Sequence, residues 1–116
     1  MKRGEIYWAT LSPRSGSEQS GRRPVIILSH DAFNQTPGWR SIIVVPVSTS
    51  ATQARRGPTV VELSAGTGDL PHESYAVCHQ ITTLDRAKLT DKIGALSPDI
   101  LALVEQALLA AVDIRR

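Results

Sequence analysis

One cysteine in 116 residues leaves this chain no internal disulfide framework and no multi-cysteine zinc site. It has no apolar run near the roughly 18 residues of a membrane-spanning helix. The opening Met-Lys-Arg-Gly-Glu turns polar and charged at once, unlike a signal peptide. No G-x-G-x-x-G, Walker loop or H-E-x-x-H occurs, so the common nucleotide and zinc-protease signatures are missing. No nucleophile-elbow pattern supports a Ser-His-Asp triad. Internal repeats and a dividing linker are also lacking. With 41% hydrophobic and 21% charged residues, the composition is that of a folded globular chain, which excludes disorder and low complexity. The expectation is one domain over residues 1–116, in the reducing environment of the cytoplasm.

The net charge of +2 hides an asymmetry. Residues 1–60 hold eight basic groups against three acidic ones, and residues 61–116 hold five against eight. A basic, arginine-dominated half suits a polyanionic or carboxylate-rich partner; a solvated surface with chance asymmetry is the plain alternative.

Residues 5–11 are strand formers that stop at Ser12-Pro13. Residues 12–22 have no periodicity and read as a loop long enough to be functional. The apolar run Val25–Leu28 fits a strand buried on both faces. Asp31–Gln35 has room for one helical turn, and Pro37-Gly38 is a turn signal. Residues 41–47 form the strongest strand, which Pro46 requires to be at an edge or bulged. Residues 49–57 are a second polar loop. Residues 59–63 and 75–81 read as two further strands, with a turn region at Gly66–Pro71 between them. Ser97-Pro98-Asp99 starts a helix with its cap, first-turn proline and first-turn acid. Ile100, Leu103, Val104, Ala107, Leu108 and Ala111 give it an apolar face, and Arg115 and Arg116 suit its C-terminal end. Short strands plus one terminal helix suggest a small, curved sheet or barrel with a helix packed on it, mainly β with helices.

His30, His72 and His79 lie far apart in the sequence, and a lone histidine is more often a surface or core-edge residue than a ligand. Cys78 falls in an expected strand and reads as a buried, inert thiol. No metal site and no cofactor is expected.

The dense segment is Gly16-Ser17-Glu18-Gln19-Ser20-Gly21-Arg22-Arg23-Pro24. With Arg3-Gly4-Glu5-Ile6-Tyr7-Trp8 before it, and Val44-Val45-Pro46-Val47-Ser48 and Gln80-Ile81-Thr82-Thr83-Leu84 after it, the chain resembles the MazF/PemK/Kid family of toxin endoribonucleases. The resemblance runs from about residue 2 to residue 112. It implies a five-to-six-stranded SH3-like barrel of the PemK/CcdB type with a C-terminal helix, assembled as a homodimer. It implies metal-independent cleavage of single-stranded RNA to 2′,3′-cyclic phosphate and 5′-hydroxyl ends. It further implies restraint by a cognate MazE-like antitoxin, whose complex with the toxin is a candidate for operator DNA binding.

Carried over residue by residue, the resemblance makes Arg23 the catalytic arginine before proline. A guanidinium that forks onto two phosphate oxygens and stays charged suits a phosphorane transition state. Ser48 stands where most members have threonine; it keeps the hydroxyl and loses the β-methyl that stiffens the side chain. Thr49 is next and can share the role. Ser17, Glu18, Gln19, Arg22, Arg55 and Arg56 fall on the expected RNA and antitoxin groove. Kid-like members carry an Arg-Cys-Asp triplet where this chain reads Val77-Cys78-His79, and a histidine where it has Ser17. That acid/base assignment therefore does not transfer intact, and His79 and Glu18 are the candidate bases. A gyrase-binding CcdB-type toxin, or an RNA- or antitoxin-binding module without catalysis, is the alternative on the same fold. The ending Asp113-Ile114-Arg115-Arg116 lacks the terminal Trp-Gly-Ile of CcdB.

Overall fold

The structure, a computed structural model, describes residues 1–11, 21–52 and 57–115. Seven strands and two helices follow in order: β1 (Glu5–Leu11), β2 (Gly21–Ile27), α1 (Asp31–Asn34), β3 (Ser41–Ser48), β4 (Val60–Leu63), β5 (Ser74–Val77), β6 (Thr82–Asp85), β7 (Leu89–Ala95) and α2 (Pro98–Ala111). All pairings are antiparallel, in the order β4-β5-β3-β2-β1-β7, with β6 also on β3. The result is the small curved sheet with a C-terminal helix that the strand pattern suggested, with seven strands rather than five to six.

Strand β3 organises the sheet. It pairs with β2 on one side, Val25 opposite Pro46 and Ile27 opposite Val44. Its other side pairs with β6 through Val44, opposite Thr82, and with β5 from Val47, opposite Ala76. The Ile43 carbonyl accepts from the Leu28 N–H at 2.9 Å, so the odd-numbered backbone groups of β3 face β2 and the even-numbered ones face β6 and β5. The missing N–H of Pro46 therefore falls between the two partners. The strand is not at an edge, but the proline occupies the gap in its ladder.

Alternation along these strands fills two cores. Ile6, Ile26, Val45, Val47, Ala76 and Cys78 pack with Val104 and Ala107 of α2. Ala9, Val25, Ile27, Ile42 and Val44 form the second cluster, with Tyr7, Leu84 and Leu89 against it. Val25–Leu28 thus serves both clusters, as its unbroken apolar run suggested.

The structure departs from the sequence reading in four places. Strand β2 begins at Gly21, four residues before its apolar run, because Arg22 and Arg23 pair with Thr10 and Ala9. Strand β5 stops at Val77, opposite the first residue of β4; with no further partner, residues Cys78–Gln80 form a single 3-10 turn. Strands β6 and β7 were not anticipated. β7 has mostly exposed or half-exposed residues and irregular pairing to β1, which blurs its alternation. Helix α2 has the expected Ser97 cap, accepting from the Ile100 N–H, but no basic residue in its last turn. Arg115 lies beyond the helix and pairs with Asp113 at 3.3 Å, and Leu103 remains exposed.

The N-terminal segment is tied to both helices. Arg3 donates from Nη1 to Glu105 on α2 at 2.6 Å, and its backbone N–H donates to Asp31 at 2.6 Å. That N–H, with Asn34, holds the Asp31 carboxyl below its ordinary value of 3.8. A carboxyl depressed in the folded state stabilises the fold above its unfolded value, and the contribution is lost as pH falls through the folded one. Asp31→Asn should therefore cost about 1 kcal/mol at neutral pH. The cost should shrink below pH 3.8. Urea melts at pH 7 and pH 3 check this; an equal cost at both would contradict it.

Candidate active-site cleft

A cleft of about 450 Å³ lies where β2 begins and β3 ends. Continuing the register that pairs Val25 with Pro46 by two residues sets Arg23 across from Ser48, and both line the cleft. Neighbouring strands have thus brought together residues 25 positions apart.

Arg23 is half-buried, and burial lowers its guanidinium below the ordinary arginine value. Among the described residues no carboxylate pairs with it. A partly desolvated cation without a counter-ion favours an incoming anion, and an arginine stays charged through such a shift. Arg22 is differently placed. Its guanidinium carbon lies 4.7 Å from the centre of the Trp8 ring, and its Nη2 pairs with Asp91 at 3.2 Å. Two consecutive arginines on the cleft therefore differ: one is stacked and paired, the other has no carboxylate partner among the described residues.

Ser48 is buried, and its Oγ accepts from the Ser50 N–H at 3.1 Å. That bond fixes the chain as it leaves β3 and leaves the hydroxyl proton for another acceptor. Thr49 and Ser50 are exposed on the same wall.

Leu70, Pro71, His72 and Ser74 also line the cleft. Leu70 is buried in the core, and the Ser74 hydroxyl donates to the His72 carbonyl at 2.8 Å. His72 is thus held between a core anchor and the start of β5. The sequence reading gave it no role: it follows a proline in a turn and belongs to no periodic pattern.

His79 is elsewhere. Its Nδ1 lies 2.8 Å from the Thr59 hydroxyl, and it does not line the cleft. The 3-10 turn after β5 carries it away, so the structure does not bring it to Arg23. Cys78 is fully buried, with Sγ 3.7 Å from the Val104 carbonyl, and burial pushes its thiol up to about 11. Ser17, Glu18, Gln19, Arg55 and Arg56 lie outside the described residues. Among the described residues no three His, Cys, Asp or Glu side chains are grouped to hold a metal ion, and no helix is long and apolar enough to cross a membrane.

Residues 2–112 match the model of the PemK-like, MazF-like toxins of type II toxin–antitoxin systems. The endoribonuclease EndoA of Bacillus subtilis is 37% identical over 116 residues, covering 97% of each chain. Among solved structures, the Mycobacterium tuberculosis toxin MazF-mt6 is similar with a TM-score of 0.78 at 25% identity, over 97% of this chain and 99% of that one. A MazE–MazF crystal structure from Deinococcus radiodurans is similar with a TM-score of 0.75 at 26% identity, over 99% of this chain and 97% of that one.

The burial of Cys78 has a direct readout. At pH 8 the native protein should resist an aromatic disulfide reagent, because both access and thiolate are withheld. In denaturant one thiol per chain should react at once. Rapid labelling of the native protein would contradict the burial and reopen a thiolate role.

Proposed function

The chain belongs to the PemK-like, MazF-like toxin family of type II toxin–antitoxin systems, and on that premise we propose that it is an endoribonuclease. It cuts single-stranded RNA by transesterification, without a metal ion. The Arg23 guanidinium, which has no carboxylate partner among the described residues and stands across from Ser48 in one cleft, carries this reading.

The ribose 2′-oxygen attacks the adjacent phosphorus and the 5′-oxygen leaves, giving a 2′,3′-cyclic phosphate and a 5′-hydroxyl. Negative charge grows on the non-bridging oxygens, where a preorganised cation is most effective. Arg23 supplies that cation in bidentate form, the work a metal ion does elsewhere. The Ser48 hydroxyl, oriented by its bond to Ser50, donates to a phosphate oxygen, and Thr49 lies beside it on the cleft wall. Dependence on a 2′-hydroxyl makes the reaction specific for RNA. Trp8 on the cleft wall offers a ring for a base to stack on, and Arg22 covers that ring.

The protein works in the cytoplasm as a homodimer, since two copies form a longer groove than one curved sheet offers. A MazE-like antitoxin holds it in check by laying an acidic, flexible segment over the basic cleft in competition with RNA. The toxin–antitoxin complex binds operator DNA. The solved MazE–MazF complex from Deinococcus radiodurans supports an antitoxin partner, and the basic first half of the chain supports its charge.

The test is to incubate purified protein with a long single-stranded RNA in EDTA and map the ends. Cyclic-phosphate ends in EDTA are expected. Cleavage that requires Mg²⁺, or efficient cutting of DNA, would overturn the reading. Within the same assay Arg23→Ala should lose about 3–4 kcal/mol of transition-state stabilisation, two to three decades in rate. Arg22→Ala should lose far less, because its charge is already committed to Asp91 and Trp8. Equal losses would mean that the two arginines act only as bulk positive charge.

A further inference from the structure

Transesterification needs an acceptor for the 2′ proton, and the cleft is poor in acceptors. Its described walls hold Arg22 and Arg23, which donate only, the hydroxyls of Ser48, Thr49, Ser50 and Ser74, and apolar side chains. Among the described residues no carboxylate lines it. Among the described lining residues, the imidazole of His72 is the side chain whose ring nitrogen can accept a proton from a hydroxyl. It is exposed and lines the same cleft as the start of β2 and the end of β3, and its backbone is pinned by Ser74 at 2.8 Å.

We propose that His72 is the general base of the cleft. The proposal rests on the endoribonuclease reading above and names the group that reading leaves open. The imidazole takes the proton of the 2′-hydroxyl as the O2′–P bond forms. The P–O5′ bond breaks, and the leaving oxygen takes a proton from solvent water in the open cleft. His72 then returns its proton to solvent, so the step is neutral in protons and needs no co-reactant beyond water. Arg23 stabilises the charge on the phosphate and Ser48 orients it.

The groups that face His72 are consistent with this role. From β2 the charged groups on the cleft are Arg22 and Arg23, and β3 contributes Val47 and the Ser48 hydroxyl but no charge. The neighbouring carboxylate, Glu73, interacts with Glu62 of β4 and with Tyr75 and does not line the cleft.

The experiment measures single-turnover cleavage of a short RNA from pH 5 to pH 9 for wild type, His72→Gln and His72→Ala, alongside binding of the same RNA with a 2′-deoxyribose at the cut site. His72→Gln should cleave about a hundredfold more slowly, bind the deoxy analogue with wild-type affinity and lose the rise in rate on the acid side of neutrality. Added imidazole should restore part of the His72→Ala rate. Wild-type rates in both variants would overturn the proposal and leave the endoribonuclease reading intact. So would a slower variant that keeps the wild-type acid limb, or one whose loss is entirely in binding. A wild-type protein that leaves no cyclic-phosphate ends would overturn both.

Discussion

The backbone of β3 has to change partners partway along, and the rest of the structure follows from that constraint. One side of the strand is bonded to β2. The other side is bonded first to β6 and then to β5. Pro46 stands at the changeover, between the last β6 pair at Val44 and the first β5 pair at Val47. A residue with no N–H leaves no unpaired donor there. The sheet turns its corner at this point, and the alternating side chains of β2 and β3 fill separate clusters on its two faces. Just past the corner β3 ends in Ser48, beside the start of β2 and the turn that precedes β5. The cleft is the consequence of that corner.

What makes the cleft chemically distinctive is the different treatment of two adjacent arginines. Arg22 finds Trp8 and Asp91; Arg23 finds burial without a described counter-charge. Burying a cation without neutralising it is costly. Placing an anion there relieves that cost, and relieves it most when the anion gains charge during reaction. On this account the fold keeps a partly desolvated guanidinium in reserve for a phosphate, and Ser48, fixed by the Ser50 N–H, sets the phosphate's orientation.

Much of this was legible in the residues. The limits of β1, the one-turn α1 and the capped start of α2 followed from local signals that tertiary packing did not override. Arg23 and Ser48 came from motif resemblance, and the β2–β3 register explains why residues so separated belong together. Other parts were hidden for identifiable reasons. β6 is short, and β7 alternates poorly because its residues are mostly exposed and its pairing to β1 slips. His79 looked like part of a strand, yet β4 supplies no partner beyond Val77, so the chain turns and takes the ring to Thr59. His72 gave no signal at all. Its place in the cleft is set by Leu70 in the core and by the Ser74 hydroxyl, which are long-range and conformational facts rather than sequence patterns.

The most direct test of the account is a crystal structure of the protein with a single-stranded RNA carrying a 2′-deoxyribose at the cut site, which blocks the reaction and preserves the phosphate. The account predicts that the scissile phosphate sits in the cleft, with non-bridging oxygens about 2.7–3.0 Å from the Arg23 guanidinium and the Ser48 hydroxyl. An RNA whose scissile phosphate lies against another surface, with Arg23 still unpaired, would contradict it.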